Sequence, residues 1–177
     1  MWLKENLKST KLNDGTPVLN LISNSDWTNN LSGAYCWYNN DANHKESYGA
    51  LYNWHAVNTG KLCPKGWHVP TDVEWSTLTD HLGGSDIAGL VLKEEGTSHW
   101  SGPNTGVTNE TRFTALPGGC RYFSGGFDDL TYYGYWWSSS LFSATAGWYM
   151  VMYHFTDEVD GLDGNKNHGF SVRCIMD

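Results

Sequence analysis

The sequence predicts an α+β domain, and three features carry that prediction. Helical signals are confined to residues 47–93. Strand-like runs gather at the C-terminal end. The stretch between them, 96–134, is rich in Gly, Thr, Asn and Pro. Helices and strands segregated in this way argue against alternating βαβ units. With 177 residues the chain suits one buried core, so a single domain spanning 1–177 is expected.

Residues 1–40 read as loops and short strands. Asn13-Asp14-Gly15 is a tight-turn signal followed by Pro17, and Asn24–Asn30 is turn-like around Trp27. Ala34–Tyr38 is a short aromatic strand, ended by Asn39-Asn40-Asp41. Residues 47–58 set Tyr48, Leu51, Tyr52 and His55 at helical spacing, with Gly60 as a C-terminal stop. A second helix starts at a capping box, Thr71 with Glu74, and carries Trp75, Leu78 and Leu82 on one stripe. It stops at Gly83-Gly84. Asp86–Lys93 reads as a short helix or turn. Phe113–Leu116 and Arg121–Phe123 read as short strands within long loops, and 135–139, 147–153 and 169–175 as strands.

Composition excludes several functions. Eleven basic and 19 acidic residues give a net charge of −8, and no Lys/Arg cluster offers a nucleic-acid footprint or a hold on anionic lipid. No stretch approaches the roughly 20 apolar residues that span a bilayer. Residues 1–6 lack the apolar core of a signal peptide. Hydrolase, zincin and P-loop motifs are absent, and no histidines pair at metal-binding helical spacing, so His55 and His81 are expected to pack on or beside helices. Four cysteines without a C-x-x-C spacing allow three pairings and make a structural zinc site improbable. The aromatic content, 10 Trp, 10 Tyr and 6 Phe, exceeds what a core of this size readily hides.

Several segments occur in the order of one bacterial family. They are Trp2–Thr10, Asn13–Pro17, Tyr35–Asp41, Tyr48–Trp54, Leu62–Asp72, Ala115–Gly119, Tyr135–Ser139 and Gly169–Cys174. Over almost its whole length the chain resembles the Fibrobacter succinogenes major paralogous domain of Bacteroidetes and Fibrobacter. The family has no settled activity. The resemblance implies export behind a leader that this chain does not contain, hence a secreted or outer-surface protein, with a lipid anchor as one means of attachment. The closing Gly-Phe-Ser-Val-Arg-Cys also resembles the end of formylglycine-generating-enzyme domains. That implies a C-type-lectin-like fold, two helices on a small twisted antiparallel sheet with long loops. The chain departs from the family at Cys120, where an aromatic is common, and over Met150–Asn165.

The resemblance also implies site residues. Lectin-like folds tie a helical region to the last strand, which suggests a Cys63–Cys174 disulfide, against the alternative of two buried thiols. Cys36–Cys120 is the weaker second pair. Formylglycine-generating enzymes need a closely spaced cysteine pair, and no cysteine lies between Cys120 and Cys174, so the fold is expected without the catalysis. In such folds the C-terminal region is the ligand-binding face. It holds aromatics that are hard to bury together, and the expected contacts are Tyr132, Tyr133, Phe142, Tyr149, Met150, Tyr153, His154 and Phe155. Asp157, Glu158, Asp160 and Asp163 form an oxygen-rich stretch that either binds calcium, without EF-hand spacing, or is a solvated acidic loop. The expected function is a non-enzymatic, extracellular binding or adhesion module for a protein or carbohydrate. Two alternatives are a variable receptor-binding protein of a diversity-generating retroelement, with Leu141, Phe142, Met150 and His154 varying, and a formylglycine-generating-type enzyme.

Overall fold

The computed structural model describes residues 1–177. Its elements are β1 (Leu19–Asn20), α1 (Asn24–Thr28), β2 (Ala34–Cys36), α2 (Lys45–Tyr48), β3 (Leu51–Tyr52), α3 (Trp54–Val57), β4 (Trp67–His68), α4 (Asp72–His81) and α5 (Gly89–Leu92). They are followed by β5 (Gly118–Arg121), β6 (Phe127–Leu130), β7 (Tyr133–Leu141), β8 (Ala146–Tyr153), β9 (Val159–Asn165) and β10 (Ile175–Met176). The architecture is α+β, as the segregation of signals predicts. The main sheet has five strands in the order β6-β5-β7-β8-β9; β1-β2-β3 and β10-β4 form smaller sheets.

The sheet is mixed rather than antiparallel, because β5 runs parallel to β7 at Gly119–Gly134. Two glycines make that junction possible. Gly119 has φ +61°, and a Cβ there would meet the Asp128 carbonyl at 2.5 Å; one at Gly134 would meet the Leu116 carbonyl at 2.8 Å.

The capping box forms as expected. Thr71 Oγ1 accepts from the Glu74 amide at 3.2 Å, and Glu74 Oε2 accepts from the Thr71 amide at 2.8 Å. The helix that follows, α4, buries Trp75 and Thr79 and ends before two left-handed glycines, Gly83 and Gly84. The helix expected over 47–58 does not form. Gly49 adopts φ +76° where the backbone passes Leu7, whose carbonyl accepts the Ala50 amide. The segment breaks into α2, the strand β3 and the short α3, whose first turn is capped by Asn53. Tyr48, Leu51, Tyr52 and His55 therefore share no helical face.

Three other expectations change. Phe113–Leu116 is not a strand; only Ala115 bridges, to Lys93. Residues 169–175 make single bridges at Gly169, Phe170 and Ser171 before β10, because they thread between neighbours instead of joining one ladder. Of the acidic 157–165 stretch, Val159–Asn165 is the edge strand β9, paired with β8 along its length, and not a loop.

The chain ends clasp one another. Met176 N–H donates to the Met1 carbonyl, Leu3 N–H to Cys174 and Leu7 N–H to Val172. Cys63 and Cys174 are disulfide-bonded across 111 residues. Cys36 and Cys120 are not bonded to each other: both are free, buried thiols packed as small apolar side chains. Arg173 is fully buried and has no carboxylate within ion-pair reach. Its guanidinium donates to the carbonyls of Leu3 (3.1 Å), Lys4 (3.0 Å) and Phe113 (2.6 Å) and to Asn6 Oδ1 (2.8 Å), and lies 4.2 Å over the Phe113 ring. Burial lowers its pKa to about 9, with the charge of Glu5 working the other way.

Candidate ligand-binding face

Side chains alternate across β7. Trp136 and Ser138 point one way, Tyr133, Tyr135 and Trp137 the other. The first face is closed. Trp136, Met150, Met152 and Val159 pack against Trp75 of α4, Leu92 of α5, and Trp100 and Phe113 of the loop. The second face is closed only in part. Trp137 and Phe170 lie in the main core, with Tyr135 and Tyr149 packed half-buried against it. Beyond Tyr135, Phe155 (58% exposed) reaches solvent beside half-buried Tyr133 and Tyr153, and at the end of the sheet Tyr132 (50%) pairs with His154 at 5.1 Å.

The rings form a continuous row. Phe155 lies 5.5 Å from Tyr153, Tyr153 5.4 Å from Tyr133, and Tyr133 6.0 Å from Tyr135. Phe170 then stacks on Tyr135 at 4.9 Å, and His168 on Phe170 at 5.2 Å; Phe123 meets His168 edge-on at 5.5 Å. These spacings are those of attractive aromatic pairs. Pairing of Tyr133 with Tyr153 across β7 and β8 sets the register of the exposed end.

Carboxylates border the row. Tyr153 Oη donates to Asp160 Oδ2 at 2.8 Å, and Tyr135 Oη to Asp129 Oδ2 at 2.8 Å. Burial and then these bonded carboxylates push both phenol pKa values up. Tyr122 is pushed up to about 12 by burial and the acidic groups beside it. Burial also raises the Asp129 carboxyl above its ordinary value, with the Tyr135 hydrogen bond working the other way. The phenols are therefore neutral hydrogen-bond donors at physiological pH.

A buried lysine holds the turn that presents Phe155. The Lys93 side chain is 1% exposed, and its Nζ donates to the carbonyls of Tyr153 (3.2 Å) and Thr156 (2.8 Å) and lies 3.5 Å from Asp157 Oδ1. Burial lowers its pKa, opposed by Asp157. His154 Nδ1 is 3.0 Å from the Gly102 carbonyl, which ties the same turn to the 96–117 loop.

Of the eight expected contacts, five come together: Tyr132, Tyr133, Tyr153, His154 and Phe155. Three do not. Met150 is 6% exposed and belongs to the closed face. Tyr149 packs on Phe170 at 4.7 Å. Phe142 packs on Trp148 at 5.0 Å, beyond the other end of β7, roughly 25 Å along the strand from Tyr133. The expected calcium ligands do not converge. Asp160 and Asp163 are three residues apart on a strand and so point to opposite faces; Asp157 is bound to Lys93, and no group of three or more His, Cys, Asp or Glu side chains is placed to hold an ion. His55 meets Asn167 at 3.1 Å beside α3, while His81 is exposed at the end of α4.

Sequence reasoning missed Tyr135, Asp129, Phe123 and His168. The period-2 run Tyr133-x-Tyr135-x-Trp137 was the available signal for the first. Nothing local marked the others, which arrive through strand pairing.

No curated protein matches the chain, and no solved structure matches it. No helix is long and apolar enough to cross a membrane. The model of the Fibrobacter succinogenes major domain matches residues 1–176. With residues 1–176 matched, almost the whole chain, the protein belongs to the Fibrobacter succinogenes major domain family.

Proposed function

We propose that this chain is a non-enzymatic binding module of the cell surface or secreted space, which takes a protein or carbohydrate ligand on the open end of its main sheet. The observation that carries the reading is the unequal cover of the two sheet faces. One is sealed by helices, while the other ends in a row of half-buried rings tipped by the exposed Phe155. Exposed aromatic patches rimmed by polar groups are typical of recognition surfaces.

Other features support parts of the reading. A disulfide favours an oxidising compartment. The clasped chain ends and the Cys63–Cys174 link accord with a C-type-lectin-like arrangement. Burial pushes the Cys36 thiol up to about 12 and the Cys120 thiol higher, so neither offers the thiolate that cysteine chemistry needs. The variable-receptor alternative is disfavoured by Met150, since a position 6% exposed in a packed core tolerates diversification poorly.

The test is binding of the purified protein to glycan and protein arrays, with and without EDTA, beside Tyr153→Ala and Phe155→Ala. Binding that survives EDTA and falls in both variants supports the reading. Binding unchanged in both variants removes the site, and loss in EDTA restores a calcium role.

A further inference from the structure

We infer that the open end of the sheet binds a protein segment presenting lysine or arginine side chains. This rests on the binding reading above and names the chemistry of the partner. Residues 122–165, which supply β6 to β9, contain no lysine or arginine, yet they carry Asp128, Asp129, Asp157, Glu158 and Asp160, besides Asp163 on the opposite face. The nearest bases leave all but Asp157 unpaired. Arg121 is buried, its guanidinium taken by the carbonyls of Leu21 and Ile22. Lys166 donates to the Ala144 carbonyl and lies over the Trp54 ring. Lys93 reaches Asp157 alone. Asp129, Glu158 and Asp160 have no ion-pair partner.

Tyr133, Tyr153 and Phe155 stand between Asp129 on one side and Asp160 on the other. A cation over an aromatic face is attracted by the ring quadrupole, and arginine adds a planar group that can stack while it binds a carboxylate. Asp160 accepts only the Tyr153 hydroxyl among the side chains, which leaves acceptor capacity on its two oxygens. Acidic partners would be repelled by a chain of net charge −8, which steers basic ones.

The experiment is fluorescence anisotropy of the intact protein with a labelled Arg/Lys-rich peptide and its all-glutamine counterpart. The variants are Asp160→Asn and Phe155→Ala at the site and Asp80→Asn on exposed α4, which packs on the other face and changes charge equally. Circular dichroism confirms that each remains folded. The expected result is binding of the basic peptide only, weakened by added salt, weakened about tenfold by each site variant and by less than about twofold in Asp80→Asn. Equal binding of both peptides, equal weakening by Asp80→Asn, or no binding of the basic peptide overturns the inference. If the basic peptide fails while an array ligand still binds and is lost in Phe155→Ala, the charge inference alone falls. If Phe155→Ala and Tyr153→Ala alter no interaction at all, the binding reading falls with it.

Discussion

Two regions of this molecule handle buried or half-buried charge in opposite ways. At the clasp of the chain ends, Arg173 is fully buried and neutral carbonyls and an amide oxygen take up its donors. At the open end of the sheet, carboxylates beside aromatic rings have hydroxyl donors but no cation. The clasp is saturated, so it serves the fold. The open end is half-satisfied and so has capacity to interact. The Met150–Asn165 segment supplies the end of β8, all of β9 and the Phe155 turn to the second region.

The largest effect expected is at the clasp. Replacing Cys63 and Cys174 together with alanine removes a link across 111 residues and should cost about 4–5 kcal/mol by the chain-entropy account. A denaturant titration with and without reductant reads this directly, and overlapping curves would show that the bond does not stabilise. Next, Arg173→Met should cost about 3–5 kcal/mol, because it strands the carbonyls of Leu3, Lys4 and Phe113. Arg173→Lys should recover little, since one ammonium cannot reach all of them.

Lys93→Met probes the link between the regions. It leaves two carbonyls of the Phe155 turn without donors and should cost about 2 kcal/mol, with faster amide exchange confined to residues 153–157. Exchange that quickens throughout the chain would instead make Lys93 part of the general core. Phe155→Ala sharpens the comparison from the other side. Its exposed ring should change stability by less than about 1 kcal/mol while weakening ligand binding.

The smallest effect is pH-dependent. His68 Nε2 bonds Glu74 at 2.9 Å and Nδ1 bonds Asp177 at 2.7 Å. Burial lowers the imidazole pKa, but these two carboxylates raise it further, leaving it above its ordinary value near 6.5. The protonated ring thus stabilises the fold fully below that ordinary value, and the contribution fades as pH rises through the raised one. The side chain is 37% exposed, so solvent screening keeps the effect to a few tenths of a kcal/mol. The difference between parent and His68→Gln in thermal melts from pH 5 to 9 should therefore shrink with rising pH. A constant difference would contradict the linkage.

Legibility in the sequence followed the range of the interactions. The capping box of α4 is a contact between residues three apart, and it was readable. The α+β segregation was readable for the same reason. The helix expected over 47–58 failed because apolar spacing could not reveal that Gly49 turns left-handed against the Leu7 backbone, 42 residues away. The acidic stretch reads as a loop in sequence because an edge strand with one buried apolar residue, Val159, shows no clear alternation. In the site, the aromatic enrichment was visible but its division was not. Tyr149 and Met150 are adjacent in sequence and lie on different faces of the sheet, and only the register of β8 against β7 decides which rings meet solvent.

Residues 1 and 176 are hydrogen-bonded neighbours, and the consequence is topological. A chain that enters this domain leaves it beside its point of entry. The unit can therefore be spliced into a surface loop of another protein with little separation of the flanking segments, or its ends can be joined and new ones opened at the exposed Ala144–Thr145 tip between β7 and β8. The permuted molecule would keep the sheet register that places Tyr133 beside Tyr153, because no strand would be cut.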